Sequence, residues 1–488
     1  MTRQYKALTL LLLAVALVAT SCKKFLHVQP EDKYTEEQVY SSERAIQQAL
    51  NGLYFSLATN DLYGANLTST TVEVLGQRFY TQAGGSNNTP FLQAYTYNNA
   101  GVMTLMDNLW SSAFSTITKT NKFISSLSDA TARGVINQQH ADQLAGEAIA
   151  IRALLHFDLL RLYGPVMSIT PTANAIPYYK KADALPTAIL PANQVLDSVL
   201  ADLATARQLL SADPVITRGV KAGTEFYGDS RNQRLNYYAV TALQARANLY
   251  AGKPTEANLA AKEALSNGEK WFPWLPYTSV INTSMPDRIF SPEVLFGVYN
   301  QNMYTNYTTY FAPDLTLLQI TIPFPSRLRN IFGEGEGLLT KDYRYLSSFS
   351  TGGPPIGATQ EIGLTFNKFA SQGINPYAWK FIQPLIRKTE LYYILAETET
   401  DPAIGLEYLN TARFNRGLPA IVGTLTLQAE IQKEYQKEFW GEGQLFFYYK
   451  RKASATIPSG ISTGTISMSG TNAAQYIVPL PLSETTPR

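Results

Sequence analysis

Few side chains in this sequence have the type and spacing that catalysis or metal binding requires. The histidines, His27, His140 and His156, do not form the H-x-x-x-H or H-x-x-E patterns of a zinc site. The Walker A motif and the dinucleotide-binding glycine pattern are also absent. The sequence therefore predicts a protein with no catalytic residues, no metal site and no cofactor. The position that stands out is Cys22, the only cysteine of the chain.

The segment before Cys22 has the pattern of an export signal. Basic residues open the chain, and residues 7–19 are almost entirely apolar. This run is shorter than the roughly 20 residues of a membrane-spanning helix, but it suits a secretory signal peptide. A small residue followed by cysteine resembles the lipobox of bacterial lipoproteins, which implies cleavage and a diacylglycerol on Cys22. We expect a signal peptide over 1–21, a lipidated tether over 22–33 and a domain over 34–488.

Composition narrows the possible binding partners. Forty Lys and Arg against 38 Asp and Glu give a formal net charge of +2, which argues against a nucleic-acid binder. No second apolar run approaches spanning length, so we expect the membrane to be contacted through the lipid anchor only. The chain carries 30 Tyr, 22 Phe and 5 Trp. Tyrosine offers a flat apolar face and a polar tip, and polyhydroxylated ligands such as sugars suit both.

Periodic apolar residues predict the helices that must position any site. The pattern indicates helices over 35–57, 105–127, 147–163 and 193–210. The clearest is 147–163, whose polar residues form two stripes with apolar faces between them, as expected of a helix packed between neighbours. We interpret Arg152, His156 and Asp158 on it as buried polar pairing rather than catalytic residues.

Two helix pairs resemble tetratricopeptide units. Residues 235–251 and 254–266 form the first pair around a Gly-Lys turn, and 387–399 and 404–416 form the second around Asp401-Pro402. The region of about 271–378 is rich in Pro, Gly, Asn, Thr and aromatics, and Val294–Tyr299 within it reads as a strand. The predicted fold is mainly α: tetratricopeptide-like helix pairs form a scaffold, and irregular insertions at about 58–104 and 271–378 form the ligand face.

Several segments, in this order along the chain, resemble the SusD/RagB family of Bacteroidetes outer-membrane lipoproteins. The similarity lies in EAIAIRALLHFDLLRLYGPV at 147–166, ARANLYAG at 245–252, RKTELYYILAE at 387–397, EYQKEFWGEGQLFFYYKR at 434–451 and IVPLP at 477–481. Each motif is loose by itself, but the ordered set is specific.

The resemblance implies a nutrient-binding lipoprotein. Members of the family lie at the outer membrane, exposed at the cell surface, as the lid of a SusC-like TonB-dependent transporter. They bind oligosaccharides, or peptides in some branches, and deliver them to the transporter without chemistry. The sequence leaves open which glycan or peptide is bound, whether a calcium ion supports the ligand loops and which transporter is the partner. It also leaves open whether the protein faces outward or the periplasm.

The resemblance also indicates candidate ligand contacts. Starch-binding relatives use aromatic platforms on an early loop and on a mid-chain insertion. The aromatic-x-aromatic segment at 95–99 resembles the early platform, and the amide-rich segment at 299–307 suits the second one. If residues 95–99 are extended, the two tyrosines face the same side. The predicted contacts are Arg78, Tyr95, Tyr97, Asn98, Asn99, Tyr304 and Tyr307.

Two other classes of function make different demands on the sequence. A glycosidase needs two carboxylates facing each other across a cleft, and no spacing singles out a pair among Glu73, Glu225 and Asp314. We therefore predict that the protein is not an enzyme. The second alternative is a surface scaffold that binds only a protein partner. Unlike a nutrient-binding lipoprotein, it would have no affinity for any glycan or peptide.

Overall fold

A computed structural model describes residues 36–485 except 83, 85–87, 184, 283, 358–359, 374–377 and 425. The predicted signal peptide, Cys22 and the tether lie outside the described residues. None of the described helices combines the length and the apolar composition needed to cross a bilayer.

The first half of the chain is helical. The predicted helix over 35–57 is interrupted, because Ser42 caps a new helix by accepting a hydrogen bond from the Ala45 amide at 3.3 Å. The helix predicted over 105–127 is longer than expected. The helices are α1 (Glu36–Val39), α2 (Glu43–Leu57), α3 (Thr71–Leu75), α4 (Thr89–Gln93), α5 (Ala100–Ala132), α6 (Gln138–Tyr163), α7 (Ala192–Leu209) and α8 (Val215–Arg218).

The second half alternates helices with short strands. Its elements are α9 (Tyr237–Tyr250), α10 (Pro254–Gly268), α11 (Tyr277–Val280), α12 (Met303–Tyr310), α13 (Pro325–Ile331), α14 (Tyr343–Ser348), α15 (Lys388–Thr398), α16 (Pro402–Phe414), α17 (Leu427–Glu438), α18 (Leu445–Arg451) and α19 (Leu482–Thr485). The described strands form antiparallel pairs. One pair lies in the first half of the chain, β1 (Asn174–Pro177) with β2 (Ile189–Pro191), and the others lie in the second half: β3 (Val294–Tyr299) with β6 (Ile382–Arg387), β4 (Phe349–Ile356) with β5 (Glu361–Phe366), and β7 (Thr456–Pro458) with β8 (Thr465–Ser467).

The scaffold is a row of packed helices. Contacts join α5 to α6, α6 to α7, α7 to α9, α9 to α10, α10 to α15 and α15 to α16. The α9–α10 and α15–α16 pairs are the predicted tetratricopeptide-like pairs, and small residues allow their close approach. Helix α6 is buried almost throughout its second half, which confirms the prediction that it packs between neighbours. The mainly helical fold class is therefore confirmed.

The insertion between the two helix pairs is closed at its base by strands. Strand β3 lies where the sequence predicted it and pairs with β6, which runs directly into α15. Between them the chain forms short helices α12 to α14 and the β4–β5 hairpin, so this insertion is less irregular than predicted. Its own small apolar cluster consists of Ile320, Ile322 and Ile356.

Candidate functional site

Two adjacent cavities form a groove beside helix α2. Their volumes are about 650 and 560 Å³, and Ser230 and Gln233 lie in the walls of both. We call this pair the aromatic groove because rings line both parts. The first part contains Tyr54, Phe55, Phe226 and Tyr299, and the second contains Trp271 and Trp379.

Helix α2 presents two rings to the groove in different ways. Its buried face is formed by Ile46, Leu50, Leu53 and Leu57, so Phe55 on the other side is 62% exposed. The hydroxyl of Tyr54 donates to Glu147 Oε2 at 2.8 Å and accepts from the Leu235 amide at 3.0 Å. Burial, reinforced by the charge of Glu147, raises the pKa of Tyr54, so this ring is a fixed neutral wall.

Arg234 joins the groove's walls. Its guanidinium lies over the rings of Phe226 and Tyr54, 4.3 and 5.1 Å from their centroids. It also donates a hydrogen bond to Asn51 Oδ1 on α2 at 2.6 Å. The stacked cation and rings hold a flat, rigid surface beside an amide that contacts solvent.

The loop that carries Phe226 and Arg234 is anchored by buried charges. Arg231 pairs with Glu147 at 2.6 Å and with Asp213 at 2.7 Å. Further along the groove, Gly219 has φ +69°, and a Cβ there would lie 2.3 Å from the Trp271 ring. A glycine is therefore required for this turn and for the position of Trp271.

The groove combines apolar faces with hydrogen-bonding groups. Phe55 and Tyr299 expose 62% and 45% of their surface, and the amides of Asn51, Gln233 and Gln301 line the same cavity. A sugar ring has an apolar face that packs on an aromatic ring and hydroxyls that amides bind. The geometry suits an oligosaccharide of a few residues.

The structure contradicts the prediction that Arg78 contacts a ligand. Its side chain is fully buried, with Nε 2.9 Å from Glu73 Oε2. Its Nη2 donates to the backbone carbonyl of Tyr435 at 3.1 Å. Arg78 therefore holds the early loop against helix α17, because an isolated buried charge would be too costly.

Residues 95–99 form a turn between α4 and α5 rather than an extended piece. Tyr95 has φ +56°. The rings of Tyr95 and Tyr97 still meet, edge to face with centroids 6.3 Å apart, but their hydroxyls donate to the Leu75 and Gln475 carbonyls, both at 2.7 Å. Asn98 is exposed, whereas Asn99 caps α5 by accepting from the Gly101 amide at 3.0 Å.

The mid-chain candidates lie on a helix rather than on a loop. Tyr304 and Tyr307 belong to α12, where the Tyr304 ring packs 5.0 Å from Phe381 and the Tyr307 hydroxyl donates to Asn367 Oδ1 at 3.0 Å. Among the described residues, no ring contact joins these tyrosines to Tyr95 or Tyr97. The early and mid-chain candidates therefore do not form one platform.

A different pair of rings connects the early loop with the mid-chain insertion. Tyr80 and Phe324, both partly exposed, stack with centroids 6.2 Å apart and an interplanar angle of 29°. The Tyr80 amide donates to the Ile322 carbonyl at 2.7 Å. We call this pair the loop-face platform. It is smaller than the aromatic groove but lies where the sequence predicted a ligand face.

Comparison with known proteins finds similarity to SusD-like proteins. Residues 24–222 match the family SusD-like_3, described as "Starch-binding associating with outer membrane". SusD-like protein P38 of Formosa agariphila is 23% identical over 465 residues, covering 85% of this chain and 82% of P38. SusD-like protein P2 of the same organism is 26% identical over 210 residues, 43% of this chain but only 38% of P2. The chain is similar to SusD-like proteins over most of its length.

Solved structures of SusD-like proteins share the fold of this chain over nearly its whole length. A SusD superfamily protein from Bacteroides thetaiotaomicron has a TM-score of 0.70 at 20% identity, covering 91% of this chain and 97% of that one. A protein described as a putative sugar binding protein from Bacteroides vulgatus gives 0.68 at 20% identity, covering 91% and 96%. A laminarin binding SusD-like protein gives 0.64 at 17% identity, covering 91% and 98%. These likenesses show the fold.

Of the carboxylates named in the sequence analysis, Glu73 and Glu225 lie in different settings. Glu73 is buried beside Arg78, and burial, only partly offset by Arg78, raises its pKa to about 7. Glu225 is half exposed and pairs with Arg218 at 3.2 Å. Within the described ranges, no group of three or more His, Cys, Asp and Glu side chains is placed to hold a metal ion.

The sequence did not predict the aromatic groove. No local pattern connects the segments that form its walls, which are residues 51–55, 218–234, 270–273, 291–294 and 299–301 together with Trp379 and Ile382. One available signal was Phe55, an aromatic residue on the polar side of a helix whose apolar face is complete without it.

Proposed function

We propose that this SusD-like protein captures oligosaccharides at the outer membrane and delivers them to a SusC-like TonB-dependent transporter. The observation that carries the proposal is the aromatic groove, where exposed rings adjoin amides. The family description as starch-binding and the similarity to a laminarin binding SusD-like protein support a glycan ligand. The transporter partner and the delivery step are supported by the order of the sequence motifs.

The proposed role is binding without chemistry. Glu73 is enclosed with its counter-ion Arg78, and Glu225 in the groove wall is paired with Arg218, so neither is a free carboxylate of the kind a glycosidase requires. Release to a transporter also favours an open groove over an enclosed pocket, because cargo held too tightly would not be passed on.

We propose that Cys22 is the lipid anchor and that residues 22–33 form the tether. Support comes from the apolar run that ends at Cys22 and from the family's association with the outer membrane. Two or more acyl chains hold a protein at a membrane surface durably. The proposed division is a signal peptide over 1–21 and a SusD-like domain over 34–488, with its ligand face outward.

Equilibrium binding to the full-length protein tests the groove. Maltoheptaose and laminarihexaose are titrated by calorimetry against the wild type, Phe55→Ala and Tyr299→Ala. Each substitution removes an exposed stacking ring, so we expect binding to weaken at least about fivefold, equivalent to about 1 kcal/mol. Phe414→Ala, which removes a ring that is 76% exposed on helix α16, is the matched control and should bind as the wild type does.

Further measurements distinguish binding in the aromatic groove from binding at the loop-face platform. If Tyr80→Ala weakens oligosaccharide binding and the groove variants do not, the binding site is at the loop-face platform. Tyr95, Tyr97 and Asn98 remain predicted ligand contacts there. Cleavage of either oligosaccharide by the purified wild type would contradict the non-catalytic role. No binding of any glycan or peptide would favour a scaffold protein.

A further inference from the structure

A smaller cavity, separate from the aromatic groove, lies on a different part of the molecule. Its volume is about 250 Å³, and its walls come from helices α13 and α17, the segment 333–338 and the C-terminal hairpin around Pro458 and Thr463. Its charged lining residues are predominantly cationic: Arg327, Arg413, Lys433 and Lys437, against Glu336 and Glu430. We call it the basic pocket.

Arg327 is a buried cation with no carboxylate bound to it in the described part of the chain. It is 5% exposed, and its Nη1 donates only to the backbone carbonyls of Gln77 and Arg78. Its Nε and Nη2 have no hydrogen-bond partner among the described residues. Burial, with a further contribution from nearby Arg78, lowers its pKa to about 10, so it remains charged at neutral pH.

The other buried cations of the basic pocket share one carboxylate. Arg413 Nη1 lies 2.7 Å from Glu434 Oε1, and Lys437 Nζ lies 3.3 Å from the same oxygen. Glu434 also pairs with Arg344 at 2.9 Å, so its charge is divided among three cations. The Nε of Arg413 has no partner among the described residues. The acidic side chain of Glu430 pairs with Lys433 at 2.8 Å.

Uncompensated buried guanidinium groups are energetically unfavourable. Removing an ion from water costs several kcal/mol unless a counter-charge and hydrogen bonds replace the water. A buried donor that no protein group satisfies can be satisfied by a water molecule or by an anion. A water molecule can accept hydrogen bonds but brings no charge, whereas an anion satisfies both requirements.

We propose that the basic pocket binds a tetrahedral oxyanion, a sulfate or phosphate group. The planar fork of arginine matches such groups, because adjacent N–H donors bind two oxygens of one anion. The volume is smaller than that of pockets for drug-sized ligands, which suits one small group rather than an oligosaccharide. The anion would join α13 of the insertion to α17 and to the C-terminal hairpin.

Thermal unfolding of the full-length protein tests the site. Sodium sulfate is titrated against sodium chloride at equal ionic strength, since sulfate also stabilises proteins in a non-saturating manner by exclusion from their surface. For the wild type we expect a saturable rise in Tm above the linear salt response. Inorganic phosphate should give a saturable rise as well.

A charge reversal at the pocket wall provides the decisive variant. The Lys433 side chain is 47% exposed, so Lys433→Glu should fold and place a negative charge in the wall. We expect it to require at least about tenfold more sulfate for the same rise. Lys253→Glu is the matched control: its side chain is 43% exposed and is paired with Asp197 at 3.4 Å, outside the basic pocket. It should respond as the wild type does.

The proposal would be overturned if the Tm of the wild type, Lys433→Glu and Lys253→Glu rose equally and linearly with sulfate, or did not rise at all. Arg327→Met should abolish the saturable rise; if it does not fold, Lys433→Glu still decides. Glucose 6-sulfate distinguishes the source of the anion: a response at lower concentration than inorganic sulfate indicates a sulfate ester carried by a saccharide, and an equal or weaker response indicates a free ion.

Discussion

His156 illustrates how its surroundings set the charge of a single side chain. Its Nδ1 lies 2.9 Å from the Arg152 carbonyl oxygen, and its Nε2 accepts from the Tyr179 amide at 3.1 Å. This pattern requires the neutral ring with the proton on Nδ1. Burial, with a smaller effect of the Arg152 charge, lowers the pKa of His156 to about 3. The predicted buried pairing on α6 is confirmed, and Arg152 pairs with Asp202 at 2.7 Å.

The lowered pKa of His156 predicts acid sensitivity. Between its ordinary pKa of 6.5 and about 3, the unfolded chain binds a proton that the folded chain does not. The stability contributed by neutral His156 is therefore complete above this window and is lost as the pH falls through it. His156→Gln should reduce the pH dependence of the free energy of unfolding by up to about 1.4 kcal/mol per pH unit, measured with urea. An unchanged slope would contradict this assignment.

At the scale of elements, close helix contacts depend on small residues. In the α15–α16 pair, a Cβ on Gly405 would lie 2.8 Å from the Ala396 carbonyl oxygen and 3.2 Å from Leu427 Cδ2. The sequence predicted this pair from its apolar spacing and from the Asp401-Pro402 start. Its periodicity could not show that Leu427 of α17 closes over the same glycine.

Substitution of helical glycines tests this packing. Gly405→Ala should lower the free energy of unfolding by about 1–3 kcal/mol, because the backbone oxygen that it meets cannot move independently of α15. Gly52→Ala is the control: it lies in α2 with nothing within 4 Å of its Cβ position, so it should raise stability by about 0.5–1 kcal/mol. Urea unfolding measures both, and an equal gain in the two variants would contradict the tight contact.

Across the whole molecule, buried ion pairs connect the insertion with the scaffold. Glu438 on α17 binds Arg344 of the insertion at 2.8 Å, Arg387 of β6 at 2.5 Å and Arg416 after α16 at 2.7 Å. Arg416 also reaches Glu293, at the start of β3, at 2.6 Å. Burial alone would raise the pKa of Glu438, but the three arginines lower it well below its usual range.

Removing the charge of Glu438 should therefore lower the free energy of unfolding. Glu438→Gln keeps the shape but leaves three buried arginines without this counter-charge, so we expect a loss of about 3–5 kcal/mol in the free energy of unfolding. Glu407→Gln, at an exposed position of α16, should change it by no more than about 0.5 kcal/mol. Denaturant unfolding at neutral pH compares the two. A loss below 1 kcal/mol for Glu438→Gln would show that the network contributes little.

The sequence by itself determined the helical scaffold, the paired helices and strand β3, because apolar periodicity, caps and Pro or Gly signals act over a few residues. Only the tertiary structure decided where the site-forming side chains lie. Arg78 binds the backbone of Gln436, 358 positions away, and the aromatic groove and the basic pocket assemble residues from separate segments. Contacts between such distant residues depend on how the whole chain packs, and no local spacing encodes them.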